Sequence, residues 1–261
     1  MRLQRLCFLI LPLLTLPSYA DSVSLGTAAH FGVLGGSAVT NTDTTTITED
    51  LGVYPGSSIT DAGSIILTGT EYVGGAVALQ AHSDLTTAYN TAAGLAANAD
   101  LTSEDLGGKT LLPGVYKFDS SAGLTGTLTL NAEGLSNAVF VFQIGSTLTT
   151  ATSSNVIIIN PGSNDEVIWQ IGSSATLGTG TAFEGNILAL ASITLNPGAT
   201  IDSGSALALN GAVTLDDNTI TTGLNGANES SSPPVPEPGS MTLLGAGLVA
   251  LAGFVRRQRF C

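Results

Sequence analysis

The sequence predicts a mainly β protein: a three-sided parallel β-helix with one long α-helix packed alongside. Three observations lead there. Residues 166 to 223 read as three lines of about 19 residues: EVIWQIGSSATLGTGTAFEG, NILALASITLNPGATIDSG and SALALNGAVTLDDNTITTG. In these lines Thr181, Thr200 and Thr219 recur every 19 residues, as do Gly185, Gly204 and Gly223. Each line also holds three short strand signals, which is one coil of a three-sided solenoid whose neighbours stack ~4.8 Å apart. Finally, from 76 to 98 the apolar residues Ala78, Ala81, Leu85, Tyr89, Ala92 and Ala96 recur every three or four positions, the spacing of an amphipathic helix.

Taken in order, residues 1–20 carry Arg2 and Arg5, an apolar run, and Ser18-Tyr19-Ala20, the layout of a secretory signal peptide. The expected body, 21–227, opens with strand and turn signals (Phe31-Gly32-Val33-Leu34, Ile47-Thr48, Tyr54-Pro55-Gly56) that lack a clean register. The helix follows Gly74-Gly75, then come weaker repeat copies at 114–130 and 138–148 and one additional strand at 156–159. Strand alternation predicts Val167, Trp169 and Ile171, and likewise Leu188 and Leu190, inside the core, with the threonines of the Thr-Leu pairs outside.

The body is followed by a polar linker, 228–234, and a tail, 235–261, with Pro236-Glu237-Pro238, an apolar stretch at 241–255, and Arg256, Arg257 and Arg259. Fifteen helical residues reach only ~22 Å, short of a ~30 Å hydrocarbon core, so the segment reads as a transient membrane anchor. In order and content this tail resembles the PEP-CTERM sorting tail of Gram-negative bacteria. That resemblance implies an exosortase as partner during sorting, and a mature protein secreted or held at the cell surface or extracellular matrix.

Charge and cysteine narrow the function. Between 21 and 234 lie 19 acidic residues and only two basic ones, Lys109 and Lys117, too few cations to hold a phosphate backbone or an anionic membrane. Cys7 and Cys261 are both terminal, so the body has no disulfide, thiolate metal site or cysteine nucleophile. His30, expected in a strand, and His82, on the helix, stand outside any metal-ligand spacing. Asp216-Asp217-Asn218 reads as a turn, and Glu166 and Glu184 as strand-edge acids. No catalytic residue, metal or cofactor is expected.

The threonines remain. There are 31 between 21 and 234, and strand propensity alone does not place them at equivalent points of successive coils. A charge-free array with steps of ~4.8 Å across strands and ~6.6 Å along them matches repeats in crystalline water, so ice is the expected ligand. Two stacks compete. The favoured one is Thr181, Thr200 and Thr219 with Thr179, Thr221 and Thr222 beside them, flanked by small residues. The other is the Thr-Leu stack Thr147, Thr176, Thr194 and Thr214, expected to be partly covered by the helix.

The segments SVSLGTAAHFGVLGGSAVTNT, DLGVYPGSSIT, DLTTAYNTAAG, GGKTLLPGVYKF, AVFVFQIGSTLTT and the three repeat lines together resemble the ice-binding protein family of polar bacteria, fungi and algae. The resemblance spans residues 21 to about 222. It implies a right-handed, discontinuous β-helix whose N-terminal segment adds coils to the stack, with ice held on one flat side. Thr222-Gly223-Leu224-Asn225 fits the family's Thr-Ala/Gly-x-Thr/Asn element, which adds Asn225 to the candidate site. The expected function is a secreted, monomeric protein that adsorbs to ice and inhibits its growth and recrystallisation. The alternative is a matrix or adhesin-like structural protein exported with exopolysaccharide.

Overall fold

The computed structural model describes residues 21–222; the signal-peptide, linker and sorting-tail readings, and Asn225, lie outside the described residues. Three parallel sheets of nine, seven and eight strands surround a single apolar core. Each coil gives one strand to each sheet in turn, as Glu166–Ile171, Ala175–Leu177 and Ala182–Glu184 do. Coil length varies. Trp169 pairs with Phe142 on one side and with Ile187 on the other, so the coil leading up to Trp169 is half as long again as the coil that follows it. The longer coils spend their extra residues in stacked turns, where Ser163 Oγ bonds Ser136 Oγ at 3.1 Å and Asn164 Nδ2 bonds Asn137 Oδ1 at 3.3 Å.

Stacking order departs from chain order. The N-terminal strands Phe31–Gly35, Ala38–Thr42 and Thr44–Ile47 pair with Ala206–Ala208, Val213–Asp216 and Thr219–Thr221, the last coil of the chain. A second N-terminal coil (Asp50–Val53, Ser58–Asp61, Ser64–Leu67) and Glu71–Val73 finish that end of the stack. The chain then forms the helix α1, Gly75–Gly94, and resumes at the opposite end with Ala99–Asp100. The β-helix is therefore discontinuous, with one helix alongside, as expected.

α1 lies on the outer face of the nine-stranded sheet. Its buried Ala81, Leu85, Ala88 and Ala92 share a cluster with outward-facing Val141, Ile168, Leu188 and Leu207, and with Val23, Leu25 and Ala28 of the N-terminal segment. Small residues let the helix axis approach the sheet closely, and strands covered on both faces can be apolar throughout. Val139–Ile144 is buried at all six positions. The helix stops at Gly94, short of the expected 98, where Leu95 turns to extended backbone. There Gln143 Nε2 donates to the carbonyls of Ala92 and Leu95, each at 2.8 Å, satisfying groups that a helix end leaves open.

Trp169 is fully buried, as expected, stacked on Phe142 with ring centroids 3.9 Å apart. The neighbouring coil corrects the expected register. Ile187 and Ala189 face the core, Leu188 lies under the helix and Leu190 is 40% exposed. A strand apolar on both faces carries no alternation from which its phase can be read, and a slip of one residue exchanges the faces. The regular glycine spacing has a packing cause: a Cβ on Gly204 would run into the carbonyl oxygen of Gly185 one coil below.

Candidate functional site

The seven-stranded sheet is the threonine sheet. Leu148, Ala175, Ile193, Val213 and Val39 are in register and buried, and the residue after each points outward. Those outward residues are Thr149, Thr176, Thr194, Thr214 and Thr40; Thr60, paired with Thr40, continues the row and Gly123 ends it. A parallel row two residues earlier holds Ser121, Thr147, Ser174, Ser192, Ala212, Ala38 and Ser58. From Gly123 to Thr60 neither row contains a charged side chain; beyond Gly123 the exposed Asp105 bridges to that glycine and borders the array. The hydroxyls bond sideways: Thr40 Oγ1 to Thr214 Oγ1 at 3.3 Å, and Thr147 Oγ1 to Ser121 Oγ at 2.9 Å. The result is a grid of methyls and hydroxyls with steps of ~4.8 Å by ~6.6 Å.

One edge of this sheet is braced from inside. Thr150 Oγ1 lies 2.8 Å from Thr181 Oγ1 and accepts from Gly178 N at 2.8 Å. Farther along, Asn218 Nδ2 donates to the carbonyls of Asn196 (3.1 Å) and Ala199 (3.0 Å), and Asn218 Oδ1 accepts from Asp216 N at 2.6 Å. The Asp216-Asp217-Asn218 segment is thus a turn whose asparagine satisfies backbone groups of its own coil and of the one below.

The expected stacks are redistributed. Thr181 is fully buried and belongs to the brace, so it cannot present its hydroxyl to a surface ligand. Thr200 takes Ala182, not Thr181, as its register partner, because this coil is shorter than the next; a constant spacing therefore misled by one position and one face. Thr200 and Thr219 do face outward on the eight-stranded sheet, in register with Thr46. That row runs into Ile66 at one end, and beside it Glu184 pairs with Asp202, whose Oδ1 accepts from Thr221 Oγ1 at 2.8 Å. Thr179 is exposed in a turn, and Thr222 lies past the last strand, its N–H donating to Thr48 Oγ1 at 3.1 Å.

Of the alternative stack, Thr176, Thr194 and Thr214 lie in the central row and Thr147 in the row beside it. The helix covers a different sheet. The register partner of Thr176 is Thr149, because Leu148 aligns with Ala175 and not with Leu177. Thr149, Thr40 and Thr60 are the residues that sequence reading missed. The uncovered face carried a signal: its strands alternate apolar with hydroxyl residues, whereas VFVFQI and VIWQI are apolar on both faces and mark the sheet beneath the helix.

Elsewhere, His82 Nε2 lies 2.7 Å from the Leu209 carbonyl, and His30 ends the short 3-10 turn Gly26–His30 rather than lying in a strand. Both lysines are paired, Lys109 with Glu104 and Lys117 Nζ with Asp119 Oδ1 at 2.6 Å. Burial pushes the Glu166 carboxyl up to about 7, although its Oε2 accepts from Val23 N at 3.1 Å. Burial and the neighbouring Asp202 charge do the same to Glu184. Glu166 thus anchors the N-terminal segment, and Glu184 borders the eight-stranded sheet.

The ice-binding-like family model matches residues 33–221, and the PEP-CTERM protein-sorting motif matches 234–259. The chain belongs to the ice-binding-like family. An ice-binding protein of Nostoc sp. (strain HG1) is 56% identical, the match covering 92% of this chain and 89% of that one. The family likeness extends to an ice-binding protein of Flavobacterium frigoris (strain PS1), 34% identical over 77% of this chain and 76% of the relative. Among solved structures, the ice-binding protein of the Antarctic ascomycete Antarctomyces psychrotrophicus superposes with a TM-score of 0.75 at 41% identity, covering 78% of this chain and 99% of that one.

Proposed function

We propose that the protein is exported and adsorbs to ice through the threonine sheet, halting growth and recrystallisation without catalysing any reaction. The observation that carries this is the six-threonine row Thr149–Thr176–Thr194–Thr214–Thr40–Thr60, in register across six strands and free of charge. Methyls hold ordered water while hydroxyls pin it, and rigid backbone ladders fix the spacing before ice is met. Family membership supports the same reading, and the sorting motif supports export with an exosortase as a transient partner. The protein acts as a monomer, since one face supplies the whole array.

The test is a bulky replacement at the centre of the row. Thr194→Tyr should abolish most thermal hysteresis with stability changed by no more than about 0.5 kcal/mol, as for other surface changes. Thr200→Tyr, on the eight-stranded sheet, should leave hysteresis near the parent value. Full activity in Thr194→Tyr together with loss in Thr200→Tyr would move the ice face to the eight-stranded sheet.

A further inference from the structure

The alternation that builds the threonine sheet continues past its central row. Two residues further along each strand is a third outward position, ~6.6 Å from the central row. Thr42 holds it beyond Thr40 and Asp216 beyond Thr214, and these two are register partners inside their strands. Thr125, Ala151 and Asn196 take the same position on one side of this pair, and Ala62 takes it on the other. Every member of the row except Asp216 is Thr, Ala, Gly or Asn. Thr42, Ala62, Thr125 and Ala151 are exposed. Asp216 is thus the one charged member, and it lies in the interior of the row. Its backbone N–H is held by Asn218 Oδ1, but among the described residues no donor reaches its carboxylate, and both lysines are engaged with Glu104 and Asp119. Asp105, beside the far end of the row, differs: it accepts from Thr125 N at 3.0 Å, Thr125 Oγ1 at 3.1 Å and Gly107 N at 2.7 Å. The Asp216 carboxylate is left to water.

We propose that Asp216 is a specificity-determining residue: it keeps ice off this third row and confines adsorption to the two rows beside it. The proposal rests on the threonine sheet being the ice face. A carboxylate with no protein donor orients the nearby water around its charge, and stripping that water away without a replacement partner is costly. Ice meeting the sheet therefore stops at the central row near Asp216. Without the charge, the methyl, hydroxyl and amide groups of the third row continue the grid by one further step of strand alternation. At Asp216 and Thr42 the strand itself carries that step, so both side chains point the same way as Thr214 and Thr40.

Thermal hysteresis of the full chain tests this. Asp216→Asn keeps the shape and removes the charge, and Asp216→Thr continues the row with the chemistry of its neighbours. Either should raise hysteresis roughly 1.5-fold, as three rows in contact replace two. Asp217 is exposed in the adjoining turn at φ 52°, a conformation that asparagine also adopts. Asp217→Asn removes the same net charge and should leave hysteresis at the parent value. Adding Thr42→Asp to Asp216→Asn returns a carboxylate to the row one strand away and should cancel the gain. Hysteresis unchanged in both Asp216 variants, or raised equally by Asp217→Asn, overturns the role of Asp216. A gain that survives Thr42→Asp overturns the third row. Thr194→Tyr placed in Asp216→Asn separates these failures from that of the ice face: full activity in that double variant shows that ice is bound on another sheet.

Discussion

Burial holds the carboxyls of Glu166 and Glu184 near pH 7 in the folded chain, against an ordinary value of about 4.5. Each therefore binds its proton more tightly folded than unfolded, and its contribution to stability is complete below pH ~4.5 and lost as pH rises through ~7. Asp61 and Asp84 act oppositely. The Asn41 side chain holds Asp61 below the usual carboxylate range; at Asp84 burial works the other way, but bonds from Thr27 and Gln80 together outweigh it. Stability should thus rise as pH falls from 8 to 5 and drop in stronger acid. Glu166→Gln, which keeps an acceptor for Val23, should flatten the upper slope and raise the melting temperature at pH 8 by about 2–4 °C, followed by circular dichroism. Trp169 tests the core. Its ring lies between Phe142 and Phe183, and its Nε1 donates to the Glu184 carbonyl at 2.9 Å. Trp169→Ala should cost ~3–5 kcal/mol in denaturant titration, and the parent tryptophan emission should be blue-shifted.

Among the elements, the helix shows what the sequence could and could not disclose. Its position was readable from the recurrence of Ala78, Ala81, Leu85 and Ala92, because a helix covering a sheet must place apolar residues on one face. Its last turn was not, since the stop depends on Gln143, a residue far beyond Gly94 in the chain that reaches it only after folding. Gln143→Leu should destabilise by roughly 1–3 kcal/mol, because two helix-end carbonyls lose their donor under cover; the loss is read by chemical denaturation. The candidate face divides in the same way. Thr176, Thr194 and Thr214 were legible because their coils are nearly equal in length. Thr149 was hidden by the long coil that precedes Thr176, and Thr40 and Thr60 because they join the row through Thr214, near the other end of the chain. The error at Thr181 arose where a constant period was assumed across coils of unequal length.

At the level of the whole molecule, the interleaved stacking changes how the solenoid should unfold. An ordinary solenoid is held by nearest neighbours along the chain, so its terminal repeats loosen first. Here the first coil of the chain, residues 31–47, is buried between the second N-terminal coil and the last, 206–221, with all three of its strands paired on that side. The core cluster and the helix cluster each join residues from both ends: Val33 with Ala206 in one, Phe31 with Leu207 in the other. Most contacts therefore link distant parts of the chain, a topology that folds slowly and closes only when the last coil arrives. Hydrogen exchange should show the amides of Thr40 and Thr214, paired across this junction, opening together and near the global unfolding free energy, whereas the end strand Glu71–Val73 exchanges first. Removing residues 205–222 should leave no cooperative thermal transition at all, rather than a body shorter by one coil. A truncated chain that still melts sharply, with its N-terminal amides protected, would show that the first two coils fold onto the stack without the last.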